Sequence, residues 1–176
     1  MTIELSQVVL PDFGIPTQQP VLSREIYELR IAKLRKLMLH NNIDTAVVYG
    51  DREHTANITY LCGYDPRFEE SILIVGKEGL PALLVGNEGW GYSELAPLPV
   101  KRTLFQSLSL LGQDRSKSKP LETIFNEEGI SPDSRIGVAG WKYFSPEEFS
   151  SPEFHFEVPS YIIDALRSIA GSNRVT

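Results

Sequence analysis

The chain has 176 residues and a formal net charge of −6, the size of one domain with room for a real hydrophobic core. With 17 Lys and Arg against 23 Asp and Glu, it lacks the excess of clustered cations that a duplex nucleic-acid surface needs. Apolar runs are too short to cross a membrane, MTIELSQVV does not read as a secretory leader, and Cys62 has no disulfide partner, so the chain reads as a cytoplasmic protein without nucleic-acid or membrane partners.

Residues 1–20 carry Pro11, Pro16, Pro20 and Gly14 with little periodicity, which predicts an extended arm able to pack on a partner. Ser23 then suits an N-cap, and Tyr27, Ile31, Leu34 and Met38 recur at helical spacing, with Leu37 widening the stripe. The opposite face holds Arg30, Lys33, Arg35 and Lys36 and reads as solvated. His40-Asn41-Asn42 ends this helix, since Asn tolerates the left-handed conformation. Asp44–Gly50 is a β-rich run stopped by glycine, a buried first strand. Residues 55–61 suit a short helix closed by Gly63. Ser71–Val75 and Pro81–Val85 flank the turn Lys77-Glu78-Gly79 and predict a hairpin, which makes the sheet mixed.

Glu88–Leu95 reads as a helix stopped by Pro97 and Pro99, Val100–Phe105 as a fourth strand, and 112–120 as a polar loop. A helix over Leu121–Glu128 and a strand over Ile136–Ala139 follow. Pro146–Phe149 opens a helical turn, Phe154–Val158 suits a sixth strand, and Pro159 starts a helix with Tyr161, Ile162, Ala165, Leu166 and Ile169 along one face. The expected architecture is a three-layer α/β domain with a mixed sheet of five or six strands over 21–165.

The stretch Gly50–Glu70 concentrates polar groups between two strands, where α/β scaffolds carry working residues. Each candidate has a plainer reading. Glu153, His155 and Glu157 would share one strand face and reach a metal, but any half-buried strand alternates so. Glu69 and Glu70 are adjacent and cannot share a proton on a strand, so an ion pair of either with Arg67 is expected. His54 beside Glu53 reads as a hydrogen-bonded structural residue, and Cys62 as a buried inert thiol. Gly86-Asn87-Glu88-Gly89-Trp90-Gly91 looks like a phosphate cradle between strand and helix, yet its spacing is wrong and Glu88 would repel a phosphate. Asn57-Ile58-Thr59 matches a glycosylation acceptor by chance. No catalytic residue and no metal site emerge from the residues.

From Tyr27 to Leu166 the chain resembles the N-terminal domain of the creatinase, prolidase and aminopeptidase P family. The resemblance rests on the opening helix, on Ile43–Val48, on Asn57-Ile58-Thr59-Tyr60-Leu61-Cys62-Gly63-Tyr64 (Cys62 where threonine is usual), and on the hairpin Ile72–Val85 followed by Gly86-Asn87-Glu88. Gly50–His54 and Pro66–Glu70 look like a variant found in bacterial Xaa-Pro peptidases.

The resemblance implies a ribonuclease-H-like fold. It implies a parent enzyme whose following domain holds two divalent metal ions (Mn, Zn or Co) through two Asp, one His and two Glu. This chain would then be a non-catalytic domain, with 166–176 starting the linker to that catalytic domain. Its expected partners are that domain, a second copy in a homodimer and a peptide substrate, with Asp51, Arg52, His54, Arg67 and Glu70 lining the substrate entrance. A creatinase-like C–N hydrolase, or a stand-alone binding module such as relatives in histone chaperones, are the alternatives.

Overall fold

The computed structural model describes residues 3–18 and 20–176. A five-stranded sheet runs in the order β4-β3-β2-β1-β5, built from β1 (Thr45–Gly50), β2 (Ser71–Gly76), β3 (Ala82–Val85), β4 (Lys101–Leu104) and β5 (Ile136–Ala139). β1 pairs antiparallel with β2 and β2 with β3, while β1/β5 and β3/β4 are parallel. The mixed sheet is therefore as predicted, and the hairpin turns at Gly79, whose φ of 75° suits glycine.

Helices cover both faces. α1 (Arg24–His40) and α2 (Ala56–Cys62) pack on one side, where Tyr27, Ile31, Met38, Ile58 and Leu61 meet Ala46, Val48, Leu73, Val75, Leu83 and Val85. α4 (Leu121–Glu127) and α5 (Ser160–Ala170) pack on the other, where Ile124, Phe125, Ile162 and Leu166 meet Val47, Tyr49, Ile72, Ile74 and Leu84. Alternate residues of one strand thus serve opposite cores, as the two-residue period of a strand requires. The short α3 (Asn87–Tyr92) follows β3 and continues as a 3₁₀ turn over Ser93–Leu95.

Several expectations change. Phe154–Val158 is not a strand: a 3₁₀ turn occupies Pro152–Phe154, and the sheet has five strands. The outer edge of β5 that a sixth strand would use is taken by the chain's last residues, with Ile136 bridged to Val175 and the Val138 amide donating to the Thr176 carbonyl. Within residues 166–176, Leu166, Ala170 and Val175 are buried. Leu37 does not widen the buried stripe of α1 but stands 60% exposed, and Tyr161 is only partly buried. Asn42 adopts the left-handed conformation expected at the helix end, with φ 56°. Residues 3–18 form no helix or strand, and their apolar side chains, among them Leu5, Val9, Phe13 and Ile15, stand in solvent. Among the described residues no helix is long and apolar enough to cross a membrane.

Phe125 is fully buried between α4 and the sheet. Phe125→Ala is expected to lower the unfolding free energy by about 3–5 kcal/mol, read by denaturant titration, whereas Leu37→Ala on the exposed face of α1 changes it by less than about 0.5 kcal/mol.

Candidate functional site

The strand directions bring the C-terminal ends of β1, β3, β4 and β5 to one edge of the sheet, together with the start of β2. Four connecting segments meet there, and this is the edge at which open α/β sheets place their ligands. Between them lies a cleft of about 300 Å³ lined by Tyr49, Asp51, Arg52, Glu53, Phe68, Glu69, Glu70 and Leu110. Gly50–Glu70 therefore does frame a concave site, with Asp51, Arg52 and Glu70 of the predicted entrance residues on its wall.

Asp51 organises the segment after β1. Its Oδ1 accepts the backbone N–H of Glu53 at 2.8 Å and of His54 at 2.7 Å, and the His54 imidazole Nδ1 lies 3.0 Å away. Burial pushes this carboxyl up, but the hydrogen bonds from the His54 ring and the two amides outweigh it and hold the group below its ordinary value. The carboxylate fixes the imidazole with Nδ1 toward Asp51, and the ring stacks on Trp141 with centroids 4.0 Å apart. His54 thus joins the segment after β1 to the segment after β5, the hydrogen-bonded role read from sequence. Burial and the Asp51 and Glu70 charges push the Tyr49 phenol upward, and burial with Glu70 pushes Tyr161 up to about 12, so both phenols stay protonated beside the carboxylates.

Arg67 departs from expectation. It pairs with neither Glu69 nor Glu70 but reaches Asp65 at 3.4 Å, with an exposed side chain outside the cleft wall. Glu69 is instead 4% exposed and turned toward the start of α3. Its Oε1 accepts the Gly86 N–H at 2.5 Å and the Gly89 N–H at 3.0 Å, and its Oε2 accepts the Glu88 N–H at 3.3 Å. The turn that looked like a phosphate cradle does hold an acceptor group, and the group is the chain's own Glu69 carboxyl. A Cβ on Gly86 would sit 2.5 Å from Glu69 Oε2, and one on Gly89 would sit 2.5 Å from Glu69 Oε1 and from the Tyr64 hydroxyl. The sequence signal for this was the glycine-rich spacing, but its partner 17 residues upstream carries no local mark.

The other sequence candidates have structural duties. The Asn57 side chain donates to the Gly140 carbonyl and the Thr59 hydroxyl to the Tyr64 carbonyl, which engages the apparent glycosylation acceptor. Arg30 lies over the Tyr60 ring and donates to the Tyr60 carbonyl. Cys62 is fully buried, and burial pushes its thiol up to about 12, the inert state expected. His155 packs on Phe149 and Phe144 rather than on a strand face. Among the described residues no three His, Cys, Asp or Glu side chains are grouped to hold a metal ion, and Asp51 Oδ1 and both Glu69 oxygens are taken by amides while Asp51 Oδ2 faces the His54 ring, so these residues do not fit a dinuclear centre.

A family model described as the Creatinase/Prolidase N-terminal domain matches residues 30–141. No curated protein matches the chain. Among solved structures, the creatinase/prolidase N-terminal domain of an X-Pro dipeptidase from Streptococcus pyogenes is similar at TM-score 0.53 and 16% identity, over 84% of this chain and 92% of that one. The prolidases of Pyrococcus horikoshii OT3 (TM-score 0.52, 15% identity) and Thermococcus sibiricus (0.53, 17%) are similar over 84% and 85% of this chain. The chain spans 32% and 33% of those two prolidases. At such identities the likeness concerns the fold.

Gly89→Ala is expected to cost about 1–3 kcal/mol because the methyl meets Glu69 and Tyr64. Gly91→Ala, in the same helix with nothing within 4 Å, is expected to gain up to about 1 kcal/mol. Chemical unfolding of the two variants beside the parent chain measures both.

Proposed function

Because the chain belongs to the creatinase/prolidase N-terminal domain family, we propose that it is the non-catalytic N-terminal domain of an Xaa-Pro-type dinuclear metallopeptidase, shaping the approach to the substrate site and contributing to a homodimer. The observation that carries this reading is the coincidence of that family match with a polar cleft at the C-terminal edge of the strands. The likeness of the fold to domains of an X-Pro dipeptidase and two prolidases supports it. In this reading the two metal ions (Mn, Zn or Co) and their two Asp, one His and two Glu ligands belong to the following catalytic domain, and the protein works in the cytoplasm.

The cleft wall carries Asp51, Glu53 and Glu70 against the single cation Arg52. That sign attracts the ammonium end of a peptide. Asp51 and Glu70 supply the charge, His54 keeps Asp51 in place, Arg52 screens the mouth, and Arg67 stands on the rim. The arm before α1 brings exposed apolar side chains to the second copy.

The test uses the protein that joins this domain to its catalytic one. Glu70→Gln and Asp51→Asn are expected to raise KM for an Xaa-Pro dipeptide about tenfold, the worth of one charge-assisted contact, with kcat within about twofold and with Arg67→Ala near the parent. Light scattering is expected to give a dimer mass. Unchanged KM in both variants removes the entrance role, and a monomer removes the interface role. Cleavage of a creatine-like C–N bond in place of the peptide would assign the creatinase branch. A reading frame past Thr176 without the five metal ligands would make the chain a binding module.

A further inference from the structure

The contact between Glu69 and Glu88 is chemically incomplete as drawn by its heavy atoms. Glu69 comes from the segment leading into β2, Glu88 from the first turn of α3, and Glu69 Oε2 accepts the Glu88 backbone N–H at 3.3 Å, which brings the two acidic residues together. Glu88 Oε2 accepts the Leu110 N–H at 3.4 Å, while Glu88 Oε1 is buried with no donor. Two ionised carboxylates are acceptors only and repel. A stable contact between them needs a proton on one.

We propose that Glu69 and Glu88 hold one proton between them, and that this proton latches the segment before β2 to the β3–α3 turn and, through Leu110, to the far wall of the cleft. Two of the three segments joined form part of the cleft wall, the first through Phe68 and Glu70 and the last through Leu110, and the β3–α3 turn couples them. When the proton leaves, two negative charges face each other. Glu69 is held by three amides, so Glu88 is the side chain that turns outward and releases the Leu110 amide. The latch is independent of whatever chemistry the cleft serves.

The surroundings favour the shared proton. Around the pair stand the phenols of Tyr64 and Tyr92, whose rings are 5.8 Å apart, Asp65 on the same segment as Glu69, and the Ser109 hydroxyl after β4, which accepts the Asn87 N–H. Of the two cations on β4, Arg102 is spent on Glu94 and the Trp90 carbonyl and Lys101 on Glu128. Asp114 and Lys117 lie farther out, on the exposed loop tied to Asn87 and Gln106. No neighbouring cation therefore neutralises the pair among the described residues. Burial, then the Glu88 carboxyl, push Glu69 up to about 8 against the pull of the Gly89 and Gly86 amides, and Glu88 is held below its ordinary value by Glu69.

The sign of the pH effect follows. Between the unfolded carboxyl value of about 4.5 and the folded value near 8, the folded chain holds a proton that the unfolded chain has lost. Folding strengthened by this proton is fully present below the lower value and is lost by the upper one, with the folding constant falling about tenfold per pH unit across the window and levelling above it.

Carbon-detected NMR of the glutamate carboxyls from pH 4 to 10 is the deciding measurement, alongside denaturant unfolding over the same range. One carboxyl is expected to titrate near 8, with the amides of Gly86, Gly89 and Leu110 following the same midpoint. Glu88→Gln offers Glu69 an amide donor in place of the proton, so the high titration is expected to disappear and the pH slope of stability between 5 and 8 to flatten by about one proton. All glutamates titrating in the ordinary range near 4–5 overturn the shared proton. A Glu88→Gln chain with the parent's slope does the same. A Leu110 amide that ignores the titration overturns the latch. If Glu88→Gln does not fold, the carboxyl and amide titrations of the parent chain decide alone.

Discussion

Strands β1, β2 and β3 have no exposed face over their length apart from the last residue of β2, and the architecture depends on that. A strand apolar on both sides is stable only when something apolar covers each side. α1 and α2 supply one cover and α4 and α5 the other. The chain therefore has to cross from one face of the sheet to the other. The polar segments that follow the strands gather at the edge where β1, β3, β4 and β5 end. The cleft exists because the layers are closed everywhere else.

Glu69 shows how such an edge is held without a ligand. The start of α3 presents free N–H groups, and a carboxylate from a separate segment accepts three of them. Glycines at 86 and 89 allow the carboxylate to approach so closely. The same two facts, free amides and missing side chains, make the turn resemble a phosphate site in sequence. Glu88 weighs against a phosphate there, and in the structure its backbone N–H donates to Glu69 instead.

The motif that carries the family resemblance also proves to be structural. Asn57 ties α2 to the end of β5, Thr59 ties it to Tyr64, Tyr60 receives Arg30 of α1, and Cys62 and Leu61 enter the core. Gly63 takes a left-handed φ of 77° to end the helix against Pro97. Tyr64 then reaches the Gly89 turn. The motif is a junction of three elements, and it contributes no side chain to the cleft wall.

Periodicity and turn chemistry alone determined the order of the elements, the mixed hairpin at Gly79, the inward faces of α1 and α4, and the inert Cys62. These are local consequences of side-chain spacing and backbone freedom. The strand expected at Phe154–Val158 failed because alternation reports a half-buried extended segment, not a free sheet edge, and the edge of β5 was taken by Val175 and Thr176. The candidate site residues were legible as a polar cluster, but which of them meet was not. Only the tertiary structure put Asp51, Arg52 and Glu70 on one wall and left Arg67 outside. It alone brought Glu69 to Glu88, because two acidic residues on separate segments announce nothing until the fold removes the water between them.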